Sequence, residues 1–189
     1  MPNHVNALTL AHRFLRENIK EGSFCIDATA GRGGDTLLLA GLVGETGHVL
    51  AFDIQQEAVE STRARLGQAG LAHRAEVLQE SHHRMKHYAD PESVDGIVFN
   101  FGFLPGGDHG IFTTPATSIP ALEQGMELLK VGGVMSLCIY YGGDTGFEER
   151  DTLLEFLERI DPRRFTVLLC QFANRVNCPP MAAFLTRDA

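Results

Sequence analysis

The chain has no run of about 18 apolar residues, so no membrane-spanning helix is expected. Its opening, MPNHVNALTLAHRFL, lacks the basic start and long apolar stretch of a secretory signal. There is no CxxC pair. The four cysteines, Cys25, Cys138, Cys170 and Cys178, stand apart, and the first three lie in apolar, strand-like runs. That excludes the common zinc frameworks and reads as reduced thiols in a cytoplasmic protein. Positive charge is also scarce: the net charge is −8 and the pI about 5.4. A protein gripping a duplex through many phosphates would be basic, so non-specific duplex binding is excluded. A folded RNA touched by a local patch is not. Two basic clusters exist, His82-His83-Arg84-Lys86-His87 and Arg163-Arg164, and each reads first as solvated surface charge.

Internal repeats and low-complexity linkers are missing too. With 189 residues, 44% of them hydrophobic, the chain reads as one domain spanning 1–189, with its chemistry built from loops of a single core. Apolar runs alternate with helix-patterned stretches. Strands are expected over 24–28, 48–52, 75–78, 94–99, 134–141, 165–171 and 182–186, and helices over 36–42, 56–69, 122–129 and 148–160. Such alternation predicts an α/β fold with a doubly wound, mostly parallel sheet. The last two strands have no helix between them and predict an antiparallel ending. Residues 101–120, FGFLPGGDHGIFTTPATSIP, read as a long irregular segment, which in a compact domain is usually functional.

The glycine-rich run Asp27-Ala28-Thr29-Ala30-Gly31-Arg32-Gly33-Gly34-Asp35-Thr36 follows a strand and opens a helix. Gly31 and Gly33 permit a sharp turn and close approach of a ligand to the backbone, and the helix start favours a carboxylate or phosphate. Thr36 or Asp35 is also a candidate cap. Asp53 ends the second strand, where a carboxylate can accept bonds from two ribose hydroxyls; a plain N-cap is the alternative. Ile54 and Gln55 follow, with Ile54 placed to pack on an adenine. At the end of the third strand Glu80, Ser81 or His82 can contact the adenine edge. A dinucleotide fingerprint would carry a third glycine where Thr36 stands, and Asp27 would set negative charge near a pyrophosphate. Both differences favour S-adenosylmethionine over NAD, held by Asp27, Thr29, Ala30, Gly31, Gly33, Asp35, Thr36, Asp53, Ile54, Gln55, Ser81, His82, Asn100 and Gly102. The expected activity is that of an S-adenosylmethionine-dependent methyltransferase.

Asn100 ends the fourth strand and Phe101-Gly102-Phe103-Leu104-Pro105-Gly106-Gly107-Asp108 follows. An Asn side chain can accept hydrogen bonds from an amine and aim its lone pair at the methyl carbon. The run loosely echoes the Asn/Asp-Pro-Pro-aromatic loop of amino-group methyltransferases. Phe103 can stack on a base. Sulfonium methyl transfer is an in-line displacement that needs alignment and dryness, with no metal. Asp108, His109 or Tyr141 can assist loss of the amine proton. Leu104, Pro105 and His109, together with Asn174 and Asn177 beside Cys178-Pro179-Pro180, are candidates to shape the acceptor pocket; an ordinary turn is the alternative for the last pair.

Taken together, the glycine run, Phe52-Asp53-Ile54-Gln55, Ser81-His82, the run from Asn100 to Asp108, and Asn174 to Pro180 resemble the YtqB-like family of bacterial proteins labelled rRNA methylases. The resemblance runs from Ala7-Leu8 and Leu10-Ala11-His12 to the end. It implies a Rossmann-like class I methyltransferase fold with a seven-stranded sheet, a C-terminal antiparallel strand and helices on both faces. It also implies a homodimer and a tRNA substrate, the 5-aminomethyl (2-thio)uridine at the wobble position of the anticodon loop. The chain departs from the family pattern at Arg32, where Asn is usual, at His109, where Lys is common, and at Tyr141-Gly142-Gly143, which lacks a histidine. An rRNA base methyltransferase, a small-molecule methyltransferase and a non-catalytic donor-binding module are the alternatives.

Overall fold

A computed structural model describes residues 5–103, 110, 112–142 and 146–189. The elements in chain order are α1 (Ala7–Asn18), β1 (Phe24–Asp27), α2 (Gly34–Leu42), β2 (His48–Asp53), α3 (Gln56–Gln68), β3 (Ala75–Gln79), β4 (Val94–Phe101), α4 (Pro115–Leu128), β5 (Leu129–Ile139), α5 (Gly146–Glu158), β6 (Phe165–Cys170) and β7 (Met181–Arg187). A 3-10 turn over His82–His87 follows β3.

One seven-stranded sheet carries them in the order β3-β2-β1-β4-β5-β7-β6. The first five strands are parallel, and β7 runs antiparallel to both β5 and β6. The side-chain period of two divides the core. Cys25, Val49, Ala51 and Val98 face α2 and α3 with Leu39, Val43, Val59 and Leu66. Ile26, Leu50, Phe52, Phe99 and Phe101 face the other way, onto Met85 of the 3-10 turn, Leu122 of α4 and Leu153 of α5. Both faces of the central strands are thus apolar, as parallel strands wrapped by helices require. Each fully buried Phe or Leu contributes about 1.5–3 kcal/mol.

The expected fold class holds: a mostly parallel seven-stranded sheet with an antiparallel C-terminal strand and helices on both faces. Two expectations need correction. The N-terminal segment, where the sequence pattern predicts no element, forms α1, capped by a reciprocal pair: the Asn6 side chain accepts from the Thr9 N–H at 2.8 Å, and the Thr9 hydroxyl oxygen accepts from the Asn6 N–H at 2.8 Å. Ala7, Ala11 and Leu15 form its buried stripe, and Phe14 stacks on Phe184 of β7 at 4.5 Å. The irregular segment 101–120 ends early, because α4 begins at Pro115. Proline at a first helical position costs no hydrogen bond, so Pro115 can start the helix. Pro120 sits inside it and removes one bond.

Candidate active site

The strand order reverses between β2-β1 and β4-β5, and the crevice at that switch point lies beyond the strand C-termini. A cavity of about 370 Å³ occupies it. It is lined by Ala28 to Arg32, Gly34 and Asp35 of the glycine turn, by Phe52 to Gln55, by Glu80 to His82, and by Asn100, Gly102, Phe103 and Tyr140.

The donor side is built from a chain of hydrogen bonds. Asp27 is fully buried; its Oδ2 accepts from the Thr36 hydroxyl at 2.6 Å and its Oδ1 from the Thr29 N–H at 3.2 Å. Burial, and then the neighbouring Asp35, push the Asp27 carboxyl well above the ordinary carboxylate range. The Thr29 hydroxyl oxygen accepts from the Asn100 N–H at 2.7 Å, joining the glycine turn to β4. Thr36 and Asp35 therefore do not cap α2. Its cap is Gly33, in the left-handed region at φ 76°, with no side-chain bond. A Cβ at Gly33 would stand 2.9 Å from the Thr62 Cα, so both conformation and space require glycine there.

Asp53 accepts the Gly31 N–H on Oδ2 and the Gln55 N–H on Oδ1, each at 2.9 Å. It is not the cap of α3, which is Gln55 and has no side-chain cap bond. Its carboxylate lies on the cavity wall, and Ile54 beside it is 54% exposed. His82 is nearly buried, and its Nε2 has no partner among the described residues. Burial lowers its pKa to about 4, so it stays neutral near pH 7. Ser81 also lines the cavity, its hydroxyl 2.7 Å from His83 Nδ1.

On the acceptor side Asn100 donates from Nδ2 to Asp35 Oδ2 at 2.7 Å, and Asp35 Oδ1 pairs with His12 Nε2 at 2.6 Å. A carboxylate only accepts, so the amide must present its NH2 to Asp35, which leaves Oδ1 as its accepting end. Phe103 and Phe112 form an isolated antiparallel bridge and both line the cavity, 49% and 37% exposed. Phe101, by contrast, is core and stacks on Phe99 at 5.1 Å. The base of this loop is tied down: Thr113 Oγ1 accepts from the Gly102 N–H at 2.7 Å and donates to Glu149 Oε2 at 2.8 Å, while Ser118 donates to Glu149 Oε1 at 2.6 Å.

Several placements differ from the sequence expectation. Asp27, Gly33 and Thr36 stand behind the lining, where they hold the turn from within. Tyr141 is outside the cavity lining; its ring meets Phe147 edge-on at 5.9 Å, with Arg150 over its face at 4.9 Å. Tyr140 takes the wall position instead, because its N–H bonds the Phe101 carbonyl and its side chain falls on the other side of the chain. Its phenol is pushed up to about 12 by burial. Asn174 and Asn177 are exposed in the β6–β7 turn and do not line the cavity; that turn is strained at Asn177 (φ 65°). Leu104, Pro105, Asp108 and His109 lie outside the described residues. Sequence reasoning missed Leu8, His12, Phe112 and Tyr140. The Asn6 cap and the 7, 11, 15 spacing would have found α1 and so Leu8. Nothing local marks the pairing of His12 with Asp35, which are 23 residues apart.

A model of the family described as "Putative rRNA methylase" matches residues 49–186. The chain belongs to that rRNA methylase family. A Clostridium thermocellum crystal structure named a putative rRNA-methylase is 44% identical, with TM-score 0.95 over 97% of this chain and 98% of that one. A Streptococcus mutans methyltransferase structure in complex with SAH is 32% identical, with TM-score 0.88 over 97% and 98%. Among curated relatives, the Arabidopsis thaliana chloroplastic tRNA (mnm(5)s(2)U34)-methyltransferase is 33% identical over 96% of this chain and 70% of its own length. Ribosomal RNA small subunit methyltransferase H of Polynucleobacter necessarius is 31% identical, over 52% of this chain and only 29% of its own length.

As a member of the rRNA methylase family, the protein is an S-adenosylmethionine-dependent methyltransferase, and the cavity residues fit that donor. A volume of about 370 Å³ lies in the range of small-molecule sites. The turn lines the cavity from Ala28 to Arg32, Asp53 offers a carboxylate at the end of β2, and the buried His82 Nε2 has no partner among the described residues.

Proposed function

We propose that the protein is an RNA methyltransferase that N-methylates the 5-aminomethyl group of (2-thio)uridine at the wobble position of tRNA. The observation that carries this reading is the Asn100 amide, held by Asp35 with its carbonyl end left to accept from an amine beside exposed Phe103. S-adenosylmethionine supplies the activated methyl. Asp53 takes the ribose hydroxyls, Ile54 the adenine face, Ser81 or His82 the adenine edge, and the turn from Asp27 to Thr36 the methionine end. Gln55 and Gly102 complete that wall. Asn100 orients the amine, and Phe103 stacks on the uracil ring, as aromatics do with unstacked bases. The amine loses one proton before attack, and the product is a secondary amine. Asp108 or His109 assists that loss, and Leu104 and Pro105 are candidates for shaping the approach.

The name of the Arabidopsis relative supports the wobble substrate. The family's description and the partial match to the small-subunit methyltransferase favour a second reading, methylation of rRNA. A bare pyrimidine carbon would need covalent activation, usually by cysteine. Cys25 and Cys138 are buried, and burial raises both thiols, which speaks against either in that role. We also propose a homodimer acting in the cytoplasm; light scattering on the purified protein tests the dimer. Among the described residues no helix is long and apolar enough to cross a membrane.

The test incubates protein and labelled donor with tRNA from strains with and without the aminomethyl modification, and with rRNA. Label should enter only the aminomethylated tRNA. Equal labelling of both tRNAs, or labelling of rRNA alone, would overturn the substrate assignment.

A further inference from the structure

We infer that His12 is a positioning residue for methyl transfer, setting through Asp35 which end of the Asn100 amide meets the acceptor. This rests on the reading of Asn100 given above. The two oxygens of Asp35 are divided: Oδ1 meets His12 Nε2 at 2.6 Å and Oδ2 meets Asn100 Nδ2 at 2.7 Å. The side chain of Asp35 is only 9% exposed and that of His12 25% exposed, so water competes poorly for either bond. A carboxylate held at one oxygen alone can swing about its last torsion. The amide would then lose the partner that distinguishes its two ends, and an end-for-end flip would present NH2 donors to an amine whose lone pair must stay free.

His12 is not needed to dock α1. That helix already buries Ala7, Ala11 and Leu15 and stacks Phe14 on Phe184. Nor does the glycine turn need it, since Thr36, Thr29 and Gly33 hold that turn through Asp27, Asn100 and Thr62. What the His12 bond adds is one fixed orientation of a carboxylate on the cavity wall.

The test compares His12→Ala, His12→Gln, Asn100→Ala and the double variant His12→Ala/Asn100→Ala, all in the full chain. Readouts are turnover on aminomethylated tRNA, donor affinity by calorimetry, and the NMR resonances of the Asn100 side-chain amide. His12→Ala should lower kcat by about tenfold or more while KM for tRNA changes little, as expected for lost alignment. His12→Gln, which can still donate to Asp35, should recover most of that loss. The double variant should be no slower than Asn100→Ala, because His12 acts only through Asn100. The Asn100 amide resonances should shift in His12→Ala and return in His12→Gln. Unchanged kcat in His12→Ala, losses that multiply in the double variant, or a Gln variant as slow as the Ala variant would each overturn the role. If the native protein fails on aminomethylated tRNA, the substrate reading falls instead; unmoved amide resonances would then overturn the His12 role on their own.

Discussion

The ends of β1 and β2 and the ends of β4 and β5 form two walls of one cavity by opposite means. On the first wall the polar side chains are already satisfied within the protein. Asp27 is bonded to Thr36 and Thr29, Asp53 to Gly31 and Gln55, and Gly33 is locked against Thr62. On the second wall aromatic side chains reach solvent: Phe103, Phe112 and Tyr140 are all more than a third exposed. The foot of that wall is fastened through Thr113 and Glu149. A wall whose polar atoms are fixed in advance suits a ligand of constant shape, because little ordering remains at binding. A wall of partly exposed rings suits a flat partner that covers the surface they still show. Asp35 and Asn100 are the seam between the two.

The sharpest way to break the comparison is at the seam. Asn100→Ala should leave the first wall intact, since Thr29 accepts from the Asn100 backbone N–H and not from its side chain. Turnover should fall on the order of a hundredfold with donor affinity little changed. Calorimetry and single-turnover kinetics on the same preparation separate the two quantities. A variant that loses donor binding and turnover in proportion would make Asn100 part of the first wall.

Next in size is Asp53→Ala. The Asp53 carboxylate takes two backbone N–H groups in this structure, and each oxygen keeps capacity for a further bond. Removing it should weaken S-adenosylmethionine binding by about 1.5–3 kcal/mol, the scale of hydrogen bonds to a charged group. The turn loses a tie at Gly31 as well, so thermal stability should be read alongside. A normal affinity would reduce Asp53 to a brace for the turn.

How far the sequence foretold the two walls follows the same division. The first wall is local: a strand, a glycine turn and a helix within Asp27–Thr36, then an acid at the end of the next strand. Each piece carries its own signal, so Gly31, Gly33 and Asp53 were readable from spacing. Those signals misled only on capping, because Gly33 caps the helix through its backbone while Thr36 turns inward to Asp27. The second wall is assembled from distant segments. Tyr140 was mistaken for Tyr141 because which of two adjacent tyrosines faces the crevice depends on where β5 ends, at Ile139. Phe112 reaches the wall through a bridge to Phe103 across a loop, and no pattern announces such a bridge. His12 arrives by packing of α1 on the far strands. The mostly parallel sheet and its antiparallel ending followed from alternation, while the first turns of α4 fall inside the segment 101–120 that reads as irregular.

The smallest expected effect concerns His82, which follows β3 beside the first wall and whose Nε2 has no partner among the described residues. Its pKa is lowered to about 4 in the fold, chiefly by burial, against a usual value near 6.5. Between those values the unfolded chain binds a proton that the folded protein refuses. The stability associated with neutral His82 is therefore complete above about pH 6.5 and is lost as pH falls toward 4. Between pH 7 and pH 5.5 the loss should be about 1 kcal/mol. Asp27 works in the opposite sense: its raised value means that stability is gained as pH falls through its folded pKa toward the ordinary carboxylate range. The two contributions partly offset each other in the native protein, so its melting curve alone is uninformative. Subtracting the curve of His82→Gln, which keeps a polar side chain but cannot take a proton, isolates the histidine. The stability difference between native protein and variant should shift against the native protein by about 1 kcal/mol over that interval. A pH-independent difference would mean that His82 titrates normally, and that the first wall opens to water at that point.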